Sequence, residues 1–164
     1  MPLFFNSSNS GGSGIQTFPV PMINQTNFNL GTSTATWGGL IMTSSQAYVN
    51  SISCYVYTAA TGTVTGGIYD ATTNALIAST STASTAASGI VTASFSSTVS
   101  INGNYPYYLA LVCSTTVARF CGCNLPTATF TLSPKPSFIQ TGSQLPATLT
   151  PTQTASLIWL CANS

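Results

Sequence analysis

A chain of 164 residues is long enough to bury one domain's core, yet this one carries only two basic side chains, one acidic side chain and no histidine. Its charged fraction is 2%, against about 25% in an ordinary soluble domain, so neither a basic patch for nucleic acid nor a polybasic membrane anchor can be assembled from it. Acid–base chemistry is nearly closed too: Asp70 is the one carboxylate side chain, and a catalytic triad or a carboxylate pair has no members to draw on.

Hydroxyls take over the solubilising role. There are 23 serines and 27 threonines. Threonine is β-branched and favours strands, while the strong helix formers are scarce, so the composition predicts an all-β protein with hydroxyl-rich outer faces. Near-zero net charge leaves little repulsion between copies.

Residues 1–33 read as an extended N-terminal arm preceding a domain over residues 34–164. Leu3, Phe4 and Phe5 form a short apolar tip, followed by a Ser/Asn/Gly linker. The segment Phe18 to Met22 alternates with prolines that favour an extended backbone. Leu3, Phe4, Phe5, Phe18, Val20 and Met22 are the candidate contacts of an arm laid across a neighbouring subunit; the alternative is a segment packed on its own domain. The opening run MPLFFNSSNSGGSG lacks the basic residues and apolar length of a signal peptide, and no apolar run reaches the roughly 20 residues of a membrane span.

Thr34 to Met42 reads as the first strand, with Gly38-Gly39 as a possible bulge site. The stretch Tyr48 to Asp70 predicts a strand pair. Tyr48, Ile52, Cys54 and Val56 share one face, Ser51, Ser53, Tyr55 and Tyr57 the other, and Thr58 to Gly62 supplies a turn before Val64 and Ile68 resume the alternation. Asn74 to Thr80 is a short strand and Ser81 to Ser88 a low-complexity loop. Gly89 to Ile101 returns to alternation with Val91, Ala93, Phe95, Val99 and Ile101 in phase.

Asn102-Gly103-Asn104 signals a turn, and Tyr107 to Cys113 is apolar on both faces, as a central strand would be. Arg119 to Cys123 is a shorter strand. Asn124 to Pro151, with five prolines, predicts a long segment of functional kind, with edge strand over Ala128 to Leu132 or Ser137 to Gln140. Ser156 to Cys161 closes the domain. The sum is an antiparallel β-sandwich of about eight strands with jelly-roll or Greek-key connections.

Few residues offer chemistry. An odd count of five cysteines argues against a complete disulfide framework and for small buried hydrophobes. Cys121 and Cys123 could face one way on a strand, but no zinc spacing surrounds them, so no metal or cofactor is expected. Asp70 reads as a turn residue accepting backbone N–H bonds, and Arg119 as a cation that snorkels or meets a carbonyl or Asp70. Tyr55, Tyr57, Tyr69, Tyr105, Tyr107 and Tyr108 would suit a sugar-binding face, although tyrosine is ordinary on strands.

The segments TAATGTVTGGIYDATTNALIAST and SGIVTASFSSTVSINGNYPYYLALV, with SLIWLCAN near the end, resemble a jelly-roll module of bacteriophage virion proteins. The resemblance implies a non-enzymatic structural protein, a capsid decoration or cement protein made in the host cytoplasm and placed on the virion surface. Its implied partners are the major capsid protein and copies of itself as a homotrimer. The alternative is a tail-fibre or spike module that binds host glycans. No functional residue carries over from the family.

Overall fold

The computed structural model describes residues 14–16, 26–29, 35–124, 134–154 and 156–164. In chain order these carry β1 (Gly14–Gln16), β2 (Thr26–Asn29), β3 (Ala35–Ile41), β4 (Ala47–Thr58), β5 (Thr63–Asp70), β6 (Leu76–Ser79) and β7 (Ala83–Ser84). There follow β8 (Gly89–Ile101), β9 (Tyr107–Cys113), β10 (Arg119–Asn124), β11 (Ser137–Thr141), β12 (Thr152–Gln153), β13 (Ser156–Ile158) and β14 (Leu160–Asn163). They form two antiparallel sheets packed as a sandwich. Among the described residues no helix is long and apolar enough to cross a membrane.

In one sheet β4 is central. β8 runs along one side of it, and β14 and then β10 along the other, with β1 outside β14 and β2 and β13 beside β10. The second sheet has the order β12-β11-β3-β9-β5-β6, with β7 also on β5. Successive long strands alternate between the sheets, β3, β5 and β9 in one and β4, β8 and β10 in the other.

That alternation corrects the strand pair expected over Tyr48 to Asp70. Both strands form, but β4 and β5 lie in opposite sheets, and the turn between them carries the chain across the sandwich. Each strand has one apolar face, and stacking the faces buries both, which side-by-side pairing would leave to other partners. The contact is direct: a Cβ on Gly66 of β5 would stand 3.0 Å from the Ile52 methyl of β4. Ile52, Val56, Ile68, Leu109 and Leu111 share the resulting core, each worth about 1.5–3 kcal/mol of burial.

The faces of β4 also need one correction. The ladder with β8 shifts register between Val49 and Ser51, and the buried set passes from Val49 to Ile52. That odd step inverts the phase, so Tyr48 points outward, 57% exposed, and Val49 takes its place inside. No bulge occurs at Gly38-Gly39, where β3 stays in register with β9. Gly38 serves closeness instead: a Cβ there would fall 2.4 Å from the Leu109 carbonyl oxygen and 2.4 Å from the Phe138 ring.

The two-sided apolarity of β9 has its cause in the proline-rich segment. Over residues 134–154 that segment covers the outer face of the second sheet, burying Tyr69, Tyr108, Ala110, Phe138 and Leu149 together. Phe138 meets Tyr108 edge-on at 5.0 Å between ring centroids. The Tyr69 hydroxyl donates to Pro146 O at 2.9 Å, Lys135 N–H donates to the Tyr108 hydroxyl at 2.8 Å, and Leu149 N–H donates to Asn74 O at 2.8 Å. The expected closing strand is broken at Trp159: β13 pairs with β10 and β14 with β4, and Trp159 N–H donates to Cys121 O at 3.0 Å.

Within residues 1–33, Gly14–Gln16 pairs with β14 and Thr26–Asn29 with β10, so these two pieces extend the domain's own sheet. The six candidate arm contacts, Leu3, Phe4, Phe5, Phe18, Val20 and Met22, lie outside the described residues, as does the strand considered over Ala128 to Leu132.

Candidate functional site

The sandwich has two ends, and they differ in chemistry. At one end β5 turns into β6 through residues 71–75. Asp70 N–H donates to Ala75 O at 3.0 Å, Asn74 N–H donates to Asp70 O at 2.8 Å, and Asn74 closes the turn in the left-handed region at φ 62°. The Asp70 carboxylate organises this loop. Its Oδ1 accepts from Thr72 N (2.7 Å), Thr73 N (3.0 Å) and Thr72 Oγ1 (2.7 Å), and its Oδ2 accepts from the Tyr105 hydroxyl at 2.9 Å.

Desolvation pushes the Asp70 pKa up, but the hydrogen bonds from Thr72, Thr73 and Tyr105 together outweigh it and hold the carboxyl at about 2. The group therefore stays ionised at neutral pH with its lone pairs occupied. Tyr105 in turn rests against Tyr107, centroids 5.2 Å apart. The sequence reading of Asp70 as a turn residue holds in full.

At the opposite end lie the C-terminal end of β4, the start of β8, the start of β10 and the loop before it. Three large apolar side chains stand exposed on these elements: Tyr57 at 51%, Ile90 at 66% and Val117 at 63%. Tyr55 and Ile90 are cross-strand partners on the outer face. Arg119 pairs in register with Thr58 and is exposed. It is thus at the far end from Asp70, and the pairing considered between the two does not form.

Between the ends, the outer face of the first sheet carries a ladder of polar side chains. Ser53 and Thr92 hydroxyls meet at 2.7 Å, and Asn163 Nδ2 donates to Ser53 Oγ at 2.9 Å and Ser51 Oγ at 3.2 Å. Thr98 Oγ1 donates to Asn50 Oδ1 at 2.6 Å, and Gln46 Nε2 to Ser100 Oγ at 2.8 Å. These groups bind each other across strands, which fixes side-chain orientation on an uncharged surface.

The tyrosines considered for sugar binding do not gather. Tyr69 and Tyr108 lie under the proline-rich cover, Tyr107 is in the core with its hydroxyl accepting from Asn102 N–H at 3.0 Å, and Tyr105 serves Asp70. Tyr55 and Tyr57 alone of the six share an outer face. Ile90 and Val117 were not singled out from the sequence. For Ile90 the signal was present, since it stands out of phase with Val91 and Ala93.

The described thiols, Cys54, Cys113, Cys121 and Cys161, are buried, the first two within the core between the sheets. Burial, with a smaller contribution from nearby Cys113, pushes the Cys54 pKa up to about 12, and burial raises those of Cys113, Cys121 and Cys161. Among the described residues no cluster of three or more His, Cys, Asp or Glu side chains is placed to hold a metal ion.

A model of the family described as a domain of unknown function, DUF4082, matches residues 20–136, a span that includes both ends of the sandwich and stops just before β11. No curated protein matches the chain.

Proposed function

We propose that this chain, which belongs to the DUF4082 family, is a structural protein that works by packing against protein neighbours rather than by turning over a substrate. One observation carries the reading: among the described residues the carboxylate, the lysine ammonium and four thiols are committed to holding the fold. Asp70 is ionised and saturated within its turn, the Lys135 ammonium donates to Pro151 O, and the described thiols are buried with raised pKa values. What remains outside is a nearly uncharged, hydroxyl-rich surface, with Tyr57, Ile90 and Val117 exposed at the Arg119 end and Tyr48 and Ile77 exposed elsewhere. Contacts made from such a surface depend little on salt.

The resemblance of the β4 to β9 region to phage jelly-roll modules supports placing it on a virion. There the preferred role is a capsid decoration protein, self-associated and bound to the major capsid protein, adding buried area to the shell. Quantitative mass spectrometry of virions, with and without the chain, tests this. Many copies per particle and fragile heads in its absence support it; absence from particles refutes it.

Tyr57, Ile90 and Val117, exposed at the same end of the sandwich as Arg119, favour a second reading, a tail-fibre or spike module that holds host glycans against aromatic and guanidinium surfaces. Low copy number with an adsorption defect and intact heads would select it.

A further inference from the structure

The described sheet edges are short with one exception. β1 has three residues, β2 four, β6 four, β7 two, β12 two and β13 three, whereas β8 runs for 13 residues and has β4 as its ladder partner on one side. Native proteins usually blunt a long edge with charge or proline. β8, GIVTASFSSTVSI, contains neither.

The outward side of this strand can be assigned residue by residue. The Ser94 carbonyl turns away from β4 and accepts from Ser81 N–H at 2.8 Å and Ser81 Oγ at 3.1 Å. The ladder is unbroken from Ser51↔Ser94 to Val56↔Gly89, so alternation turns the N–H and C=O of Thr92 and Ile90 outward as well. The 2.7 Å contact between Ser53 and Thr92 hydroxyls agrees, since side chains approach most closely in the non-hydrogen-bonded pairs of a ladder. Ser81 caps the edge at Ser94. Beyond it β7 runs near β8, and among the described residues no backbone hydrogen bond to Ile90 or Thr92 forms on that side.

We propose that a second copy of this chain pairs antiparallel along this open edge, with Ile90 of one copy opposite Thr92 of the other and a two-fold axis beside Val91. This arrangement lets the same two residues in each copy exchange about four backbone hydrogen bonds and joins two sheets into one. The segment is its own complement: it is uncharged, so nothing repels its copy across the axis, and it is rich in β-formers. Ile90, 66% exposed, is covered in the process. The inference does not rest on the virion reading above.

Thr92→Pro removes an N–H that faces away from β4 and leaves the internal ladder intact; Ile90→Lys sets two like charges against each other. Sedimentation equilibrium over a concentration series should show the wild type self-associating and each variant doing so about tenfold or more weakly, with unchanged far-UV circular dichroism. Amide exchange adds a pattern no other interface would give. At high concentration the Ile90 and Thr92 amides gain protection, while those of Val91 and Ala93, already turned toward β4, do not. A wild type that stays monomeric at millimolar concentration overturns the proposal, even if it captures a foreign strand peptide. So does association that Ile90→Lys leaves untouched, or protection that misses this alternation.

Discussion

Replacing Asp70 by alanine removes the acceptor of four hydrogen bonds, from Thr72 N, Thr73 N, Thr72 Oγ1 and the Tyr105 hydroxyl. The two N–H groups and the threonine hydroxyl can turn to water in an exposed turn, so the loss resembles that of a capping residue, about 1 kcal/mol. The Tyr105 bond is charge-assisted and part-buried, which raises the sum to about 2 kcal/mol. For a domain of this size that is a drop of about 4–8 °C in melting temperature. The pH dependence is the sharper test. The folded pKa, about 2, lies below the usual value of about 3.9 in an unfolded chain. A depressed carboxyl pKa stabilises the fold fully above the unfolded value and loses that contribution as pH falls through the folded one. The gap in melting temperature between wild type and Asp70→Ala should therefore be constant from pH 5 to pH 8, shrink below about pH 4 and vanish below about pH 2. Melting curves followed by circular dichroism read this directly. A gap that persists at pH 1.5, or one that closes between pH 7 and pH 5, would refute the account of Asp70 as an ionised turn clasp.

Gly38→Ala should cost about 3 kcal/mol or more in urea unfolding, because the new methyl meets the Leu109 carbonyl as well as the Phe138 ring; a change under about 0.5 kcal/mol would mean the sheet yields there. Trp37→Phe should be close to neutral, within about 1 kcal/mol, since Trp37 Nε1 is buried without a hydrogen-bond partner among the described residues and phenylalanine removes that donor along with some packing. In a Cys123→Ser background the remaining thiols should be inert to Ellman's reagent at pH 8 and react on unfolding, given their burial. Their raised pKa values predict a matching alkaline limit: the stabilisation they bring is complete below the unfolded thiol value of about 8.5 and is lost as pH rises toward about 12, seen as a falling melting temperature.

Alternation along the chain identified most long strands here because it is a local property. Gly89–Ile101 and Tyr107–Cys113 carry it within their own residues, and the structure places strands over just those spans. Partnership is not local. Nothing in Tyr48 to Asp70 distinguishes two strands that pair from two that face each other, since either arrangement buries Ile52 and Ile68; the choice is made by β9 and β8, which compete for their edges. The inverted phase at Tyr48 has the same origin, for the register shift beside Asn50 follows from how β8 lies against β4 and leaves no mark in the β4 residues themselves. Asp70 was legible because a lone acid followed by Ala-Thr-Thr-Asn describes its own turn.

The glycines mark the boundary between these two kinds of information. Gly38 invited a conformational reading, yet it and Gly66 are both there for space: one lets the Phe138 ring lie over β3, the other lets Ile52 reach across from the facing sheet. Space of that kind is a statement about a distant residue, which a single sequence contains only once its fold is known. The same holds for the open edge at Ile90 and Thr92. Its lack of charge was visible at once in the composition, but its meaning depends on Ser81 stopping at Ser94, and that contact joins residues 13 positions apart. A surface nearly free of ionisable groups leaves backbone polar groups and apolar side chains as the means of association. The edge of β8 is the described place where both are offered together.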